Sequence, residues 1–161
     1  AYILYKDEDG DTVNDAIEAI AMPLEGKVKS LKEVKDDAFA QGVLGKGCAI
    51  EPSKGEVRAP FDGTIMTLFP TKHASGIVSN NGCEVLIHIG MDTVQLNGQY
   101  FEAFVKQGDK VKQGQLLVTF DIDKIKEAGY SVDTPVIVTN TSDYRTITTV
   151  NNNGVLLTVT H

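Results

Sequence analysis

Two of the three histidines in this chain, His73 and His88, fall within one short stretch, TKHASGIVSNNGCEVLIHIGMDTVQL over residues 71–96. A neutral imidazole nitrogen has an unperturbed pKa of about 6.5, so near pH 7 it can ligate a metal, move a proton or attack phosphorus. Two imidazoles converging on one face would form a site. The plainer arrangement is one packed and one solvated histidine with no relation to each other. Which of these holds depends on the elements that carry them.

Between the histidines lies a hairpin signal: the apolar pair Ile77-Val78, the turn formers Asn80-Asn81-Gly82, then a strand from Cys83 to Ile89. Asn-Gly suits the positive φ angles of a two-residue type I′ turn. With Asn81-Gly82 as that turn, Asn80 pairs with Cys83, Ser79 with Glu84, Val78 with Val85 and Ser75 with His88. A slip of one residue would set Val78 against Glu84, so the first register is preferred. Along the second strand Val85, Ile87 and Ile89 share the core face, while Glu84, Leu86 and His88 share the other. His73, two residues before Ser75, then lies diagonal to His88, at roughly 7–8 Å between Cα atoms.

The chain's 161 residues fit a single domain with a sizeable core. A net charge of −7 argues against nucleic acid and against anionic membrane surfaces, and it favours a basic partner. No apolar run approaches a membrane span, and no stretch reads as a signal peptide. Cys48 and Cys83 sit in apolar runs without metal-type spacing and read as reduced core residues, which places the chain in the cytosol.

Residues 1–18, with the acidic run Asp7 to Asp11, read as a linker or tether with a helical stub near Val13 to Ile20; the domain proper is expected over 19–161. Met22-Pro23-Leu24-Glu25-Gly26-Lys27-Val28 and Ala59-Pro60-Phe61-Asp62-Gly63-Thr64-Ile65 form a faint repeat. Each is a proline-led turn whose glycine feeds a strand. Lys35 to Phe39 suggests a single helical turn. A strand is expected at Thr64 to Phe69, and Leu96-Asn97-Gly98-Gln99 reads as a second hairpin. The one clear helix spans Asp121 to Gly129, with Asp121 as cap and Gly129 as stop. Strands at Leu116 to Phe120, Val136 to Thr139, Arg145 to Val150 and Val155 to Thr160 complete an all-β fold. Its expected form is a compact antiparallel sandwich or barrel with glycine-rich turns and one short helix.

Three chemistries fit a histidine pair. Zinc would need a third protein ligand. Zinc peptidases of comparable β fold use His-x-His and His-x-x-x-Asp, and His88-Ile89-Gly90 and His73-Ala74-Ser75-Gly76-Ile77 lack both partners. A swinging-arm carrier is suggested by Gly108 to Leu117, which is similar to biotinyl and lipoyl domains, but Lys72 lacks the neighbours those domains place around their lysine. Covalent catalysis remains the best fit. One imidazole attacks phosphorus while a second donates a hydrogen bond to the phosphoryl oxygens, with Thr71 able to hold the second ring in one tautomer. No Mg²⁺ ligands are evident, so the phosphoryl group is expected from another protein, with no cofactor and no metal.

Gly82-Cys83-Glu84-Val85-Leu86-Ile87-His88-Ile89-Gly90-Met91-Asp92-Thr93-Val94 resembles the active-site signature of the glucose-type enzyme IIA domains. These belong to the bacterial phosphoenolpyruvate-dependent sugar phosphotransferase system. Thr71-Lys72-His73-Ala74 is similar to the second histidine motif of the same domains, and the Pro60-to-Gly63 turn and Thr134-Pro135-Val136 follow in order. The resemblance covers about residues 19–161 and implies a compact antiparallel β sandwich.

It further implies that His88 accepts a phosphoryl group on Nε2 from the phosphocarrier HPr and passes it to a cysteine of a IIB domain. His73 would stabilise the phosphorylated state and Thr71 would orient His73. A docking collar would map to Phe39, Val43, Leu44, Phe69, Leu86, Met91 and Val94, with Asp36 and Asp92 at its edge; ordinary core is the other reading of those apolar residues. Ser75 departs from the bulky apolar residue that relatives often carry, which would weaken docking on that side. Phe39 to Gly47, Gly55 to Arg58 and Phe120 to Tyr130 resemble the β-glucoside branch, where the IIA domain follows IIB and IIC in one permease. The expected place is then the cytosolic C-terminal domain of an inner-membrane permease, without direct membrane contact. A free-standing regulatory IIA is the alternative, and a zinc peptidase of similar fold a distant one.

Overall fold

The computed structural model describes residues 2–6 and 12–161, with side chains from Ile17 onward. The acidic run Asp7 to Asp11 lies outside the described residues. Strands are numbered in chain order. One four-stranded sheet runs β1 (Tyr2–Lys6), β2 (Thr12–Ala21), β14 (Val155–Thr160), β13 (Thr146–Asn152). The central seven-stranded sheet runs β10 (Lys110–Val111), β6 (Gly63–Leu68), β7 (Ala74–Ser79), β8 (Glu84–His88), β12 (Thr134–Val138), β4 (Lys46–Pro52), β3 (Gly26–Lys29). A three-stranded sheet runs β5 (Glu56–Arg58), β11 (Leu116–Phe120), β9 (Phe101–Ala103). The described pairings are all antiparallel.

The expected all-β architecture is therefore the observed one. Two short helices accompany it among the described residues: α1 (Asp37–Ala40), where a helical turn was expected, and α2 (Ile122–Glu127). The faint repeat also has a structural meaning. A Cβ on Gly26 or on Gly63 would lie 2.1 Å from a backbone carbonyl of the neighbouring strand. Each Pro-led turn thus ends on a glycine because two backbones pass too closely there for any side chain.

Two expectations about local structure are corrected. The helical stub over Val13 to Ile20 is part of β2, which pairs along β14 with Ile20 opposite Leu157. From Ile17 to Ala21 burial alternates with period two, so pairing into a sheet overrides a weak helical signal. The boundary expected between residues 18 and 19 consequently falls inside this strand. The second hairpin, at Leu96 to Gln99, is instead the end of a short 3-10 helix, Thr93–Leu96. Asn97 and Gly98, with φ of 52° and 87°, stop that helix rather than joining two strands.

The central sheet carries a core on each face. The main core includes Ile50, Ile65, Ile77, Val85, Ile87 and Leu117, closed on another side by Ile20, Leu156 and Leu157 of the four-stranded sheet. A smaller cluster of Leu31, Val34, Phe39, Ala49, Met91 and Ile137 covers part of the opposite face, with Leu86 against it. The segment that supplies Leu31 to Phe39 is held by local caps. Ser30 and Glu33 form a capping box, and the Asp36 carboxylate accepts from the N–H groups of Ala38 and Phe39 at 3.0 and 3.4 Å. This minor cluster is what frames His88.

Candidate active site

The hairpin that carries His88 forms, but one residue out of the expected register. Ala74 pairs with His88, Ser75 with Ile87, Gly76 with Leu86, Ile77 with Val85 and Val78 with Glu84. The cause lies in the turn. Ser79 Oγ accepts from the N–H groups of Asn81 and Cys83 at 3.2 and 2.9 Å, and Gly82 stands at φ 92°. Asn80-Asn81-Gly82 is thus a three-residue loop closed by a serine, not a two-residue one, and Ser79 rather than Asn80 meets Cys83. The side-chain faces of β8 are as expected: Val85, Ile87 and Ile89 are buried, while Glu84, Leu86 and His88 are partly exposed. The faces of β7 are exchanged. Ser75 turns into the main core at 4% exposure, so the docking role that its departure suggested has no place on the surface.

His73 reaches His88 by a different route from the expected diagonal pairing. It lies just before β7, after Lys72 at φ 64°, and its carbonyl accepts from the Ile89 N–H at 2.7 Å. The left-handed residue turns the chain so that the two rings meet edge to face, with centroids 4.9 Å apart and planes at 86°. Phe39 stands 5.1 Å from the His88 ring and Phe69 stands 5.4 Å from the His73 ring, both centroid to centroid. Two histidines converge, each backed by an aromatic ring.

The hydrogen bonds separate their roles. His88 Nδ1 lies 2.8 Å from the Gly90 carbonyl oxygen, which can only accept, so Nδ1 carries the proton. Nε2 is then left with a free lone pair. His73 Nδ1 lies 2.6 Å from Thr71 Oγ1, and when that hydroxyl donates, the His73 proton sits on Nε2. The pair can therefore present one nucleophilic nitrogen and one N–H donor side by side. Among the described residues no further His, Cys, Asp or Glu completes a metal-ligating group with them.

Burial lowers the affinity of both rings for a second proton. His73, only 3% exposed, is pushed down to about 4, first by loss of solvent and then by the neighbouring His88. His88 is also lowered by burial, against the opposing pull of the Gly90 carbonyl and the carboxylates of Asp36 and Asp92. Between pH 6.5 and 4 the unfolded chain binds a proton at residue 73 that the folded chain refuses. Stability from this group is therefore present above pH 6.5 and lost as pH falls toward 4. Urea unfolding should show a drop of roughly 2–3 kcal/mol between pH 7.5 and 4.5 that His73→Gln removes. An equal drop in that variant would assign the pH dependence to other groups.

The other expected site residues divide by burial. Val43 is 73% exposed, and Leu44, Phe69 and Val94 also stand out as exposed apolar side chains. Leu86 is half-buried. Phe39, at 5%, and Met91 belong instead to the minor core, so for these two the core reading holds even though Phe39 also touches His88. Asp36 caps α1, and Asp92 adopts a left-handed conformation at φ 59° ahead of Thr93. Sequence reasoning overlooked Met66, an exposed side chain whose methyl lies 3.6 Å from where a Gly76 Cβ would stand. It also overlooked the Gly90 carbonyl; a glycine two residues after a histidine was the available signal.

The sequence profile of the phosphoenolpyruvate-dependent sugar phosphotransferase system, EIIA 1, matches residues 18–144. A β-glucoside-specific EIIBCA component of this phosphotransferase system (PTS) from Bacillus subtilis is 59% identical over 127 residues, covering 79% of this chain and 21% of that protein. Its counterpart from Halalkalibacterium halodurans is 54% identical over 127 residues, covering 79% and 20%. The chain thus spans about a fifth of the length of these curated relatives. Among solved structures, the glucose permease IIA from Mycoplasma capricolum superposes with a TM-score of 0.80 at 37% identity, covering 88% of this chain and 95% of that one.

Proposed function

Because the chain belongs to the EIIA 1 family of the phosphoenolpyruvate-dependent sugar phosphotransferase system, we propose that His88 Nε2 is its phosphoryl-accepting atom. The observation that carries this is the bond from His88 Nδ1 to the Gly90 carbonyl, which leaves Nε2 as the nitrogen with a free lone pair. In-line attack on the phosphohistidine of the donor, HPr, forms the N–P bond at Nε2 and releases the donor imidazole. The proton stays on Nδ1, donated to the Gly90 carbonyl, throughout. A cysteine thiolate of a IIB domain then takes the group, and His88 returns to its neutral form. His73, with Thr71 donating to its Nδ1, offers an N–H to the phosphoryl oxygens, and this counts most while the group is being passed on to the acceptor. The phosphoryl group is carried covalently, without cofactor or metal.

The partners dock on the segments flanking the pair: Val43 and Leu44 after α1, Phe69, Leu86, Met66 and Val94, with Asp36 and Asp92 supplying negative charge for a basic partner. The relatives' names support a β-glucoside system in which this domain shares a polypeptide with IIB and IIC domains, and its proposed place is the cytosolic face of the membrane. No described helix is long and apolar enough to cross a membrane.

The test is incubation with phosphoenolpyruvate, enzyme I and HPr. One phosphoryl group per chain is expected, acid-labile and alkali-stable as a phosphoramidate is. No label, or label stable to acid, overturns the reading.

A further inference from the structure

The carbonyl that directs His88 belongs to a glycine, and a glycine does not hold its own geometry. Gly90 stands at φ 77° between Ile89 and Met91, where a free chain would sample a wide range. Two neighbours confine it. Thr93 Oγ1 donates to the Ile89 carbonyl at 2.5 Å, and Met91 N–H donates to the Ser131 carbonyl at 3.1 Å. The same two groups pack against the glycine itself: a Cβ there would lie 2.6 Å from Thr93 Cγ2 and 2.6 Å from the Ser131 oxygen. Thr93 is wholly buried.

Ile89 is thereby held from both sides. Its N–H donates to the His73 carbonyl and its carbonyl accepts from Thr93. One residue therefore ties the backbone of His73, the turn after His88 and the start of the 3-10 helix together.

We propose that Thr93 is a positioning residue for the phosphoryl-transfer reaction. By clamping the Ile89–Gly90 peptide on the near side of Gly90, while the Met91–Ser131 bond holds the far side, it fixes the glycine's backbone angles, keeps the Gly90 carbonyl on His88 Nδ1 and so fixes Nε2 as the atom that carries phosphorus. Without the hydroxyl the Ile89–Gly90 peptide is free to turn, the unconstrained glycine shifts with it, the Gly90 carbonyl loses its alignment on Nδ1, and the Nε2–H tautomer, which cannot attack through Nε2, becomes populated. A purely structural threonine would affect stability and leave the tautomer alone.

This inference rests on His88 being the phosphoryl acceptor, but its main test needs no phosphoryl donor. Nitrogen NMR of histidine-labelled, unphosphorylated protein at pH 7.5 reads the His88 tautomer directly. The parent should show Nδ1 protonated and Nε2 bare. Thr93→Val keeps the shape and removes the O–H, and it should show a mixture of tautomers. Thr93→Ser, which keeps the hydroxyl, should match the parent. Phosphorylation of Thr93→Val by phospho-HPr should slow by roughly 10- to 100-fold, by analogy with the loss when outer-shell partners that orient metal-bound histidines are removed, and Thr93→Ser should restore it. If Thr93→Val does not fold, Thr93→Cys, similar in size with a weaker donor, is read by the same criterion. A parent-like His88 spectrum in the variant lacking the hydroxyl, or an equal shift in Thr93→Ser, overturns the role of Thr93. Failure of the parent to take label at His88 overturns the phosphoryl-transfer reading instead.

Discussion

His88→Ala takes up no acid-labile phosphate from phosphoenolpyruvate, enzyme I and HPr, even at long incubation. The expectation follows from the geometry of the alternatives. The other imidazole, His73, is buried beside His88, and with Thr71 donating to its Nδ1 its remaining nitrogen carries the proton. A donor N–H has no lone pair with which to attack phosphorus. The cysteines are no substitute either: Cys48 and Cys83 are buried and free, with burial pushing each thiol up to about 12. Removing the ring also opens space beside Phe39, so His88→Gln, which fills more of it, is the matching variant, and both should retain the parent's cooperative urea transition. Persistent acid-labile label in either folded variant would move the phosphoryl site elsewhere.

His73→Gln is expected to separate receiving from giving. The Gln amide NH₂ can stand near the position of imidazole Nε2 and keeps a donor of similar reach. It lacks a ring nitrogen at the Nδ1 position, so Thr71 no longer orients it through the 2.6 Å contact. Labelling of His88 by phospho-HPr should continue. Transfer from the labelled protein to an isolated IIB domain should slow by about 10²–10³, the loss typical of one misaligned donor to a developing oxyanion. Single-turnover transfer to the IIB cysteine measures the step directly. If His73→Gln neither slows that step nor alters labelling, His73 is a bystander and the paired site is wrong.

Much of this was legible in the chain itself. The alternation Val85, Ile87, Ile89 against Glu84, Leu86, His88 determined which face His88 occupies, because side chains along a strand alternate whatever the partner. The glycines of the two Pro-led turns, the cap at Asp121 and the helical turn at Asp36 to Phe39 are local features, and local chemistry specifies them.

Pairing between distant segments was not legible in the same way. A serine hydroxyl closing a three-residue loop moved the hairpin by one residue, exchanged the faces of β7 and buried Ser75, because register depends on hydrogen bonds across the turn and not on hydrophobic matching alone. Residues 12–21 became a strand through pairing with the far end of the chain, which no window of local sequence contains. Phe39 is apolar and near the site on either reading; only the packing of Leu31, Val34, Ala49, Met91 and Ile137 around it made it core. Residue types and strand alternation thus determined that His88 stands on the face opposite the main core with His73 near it in sequence. The tertiary structure decided that a left-handed Lys72 swings His73 onto it and that the Gly90 carbonyl accepts a hydrogen bond from its Nδ1–H. Those are contacts between backbone and side chain whose geometry exists only once the strands are in register.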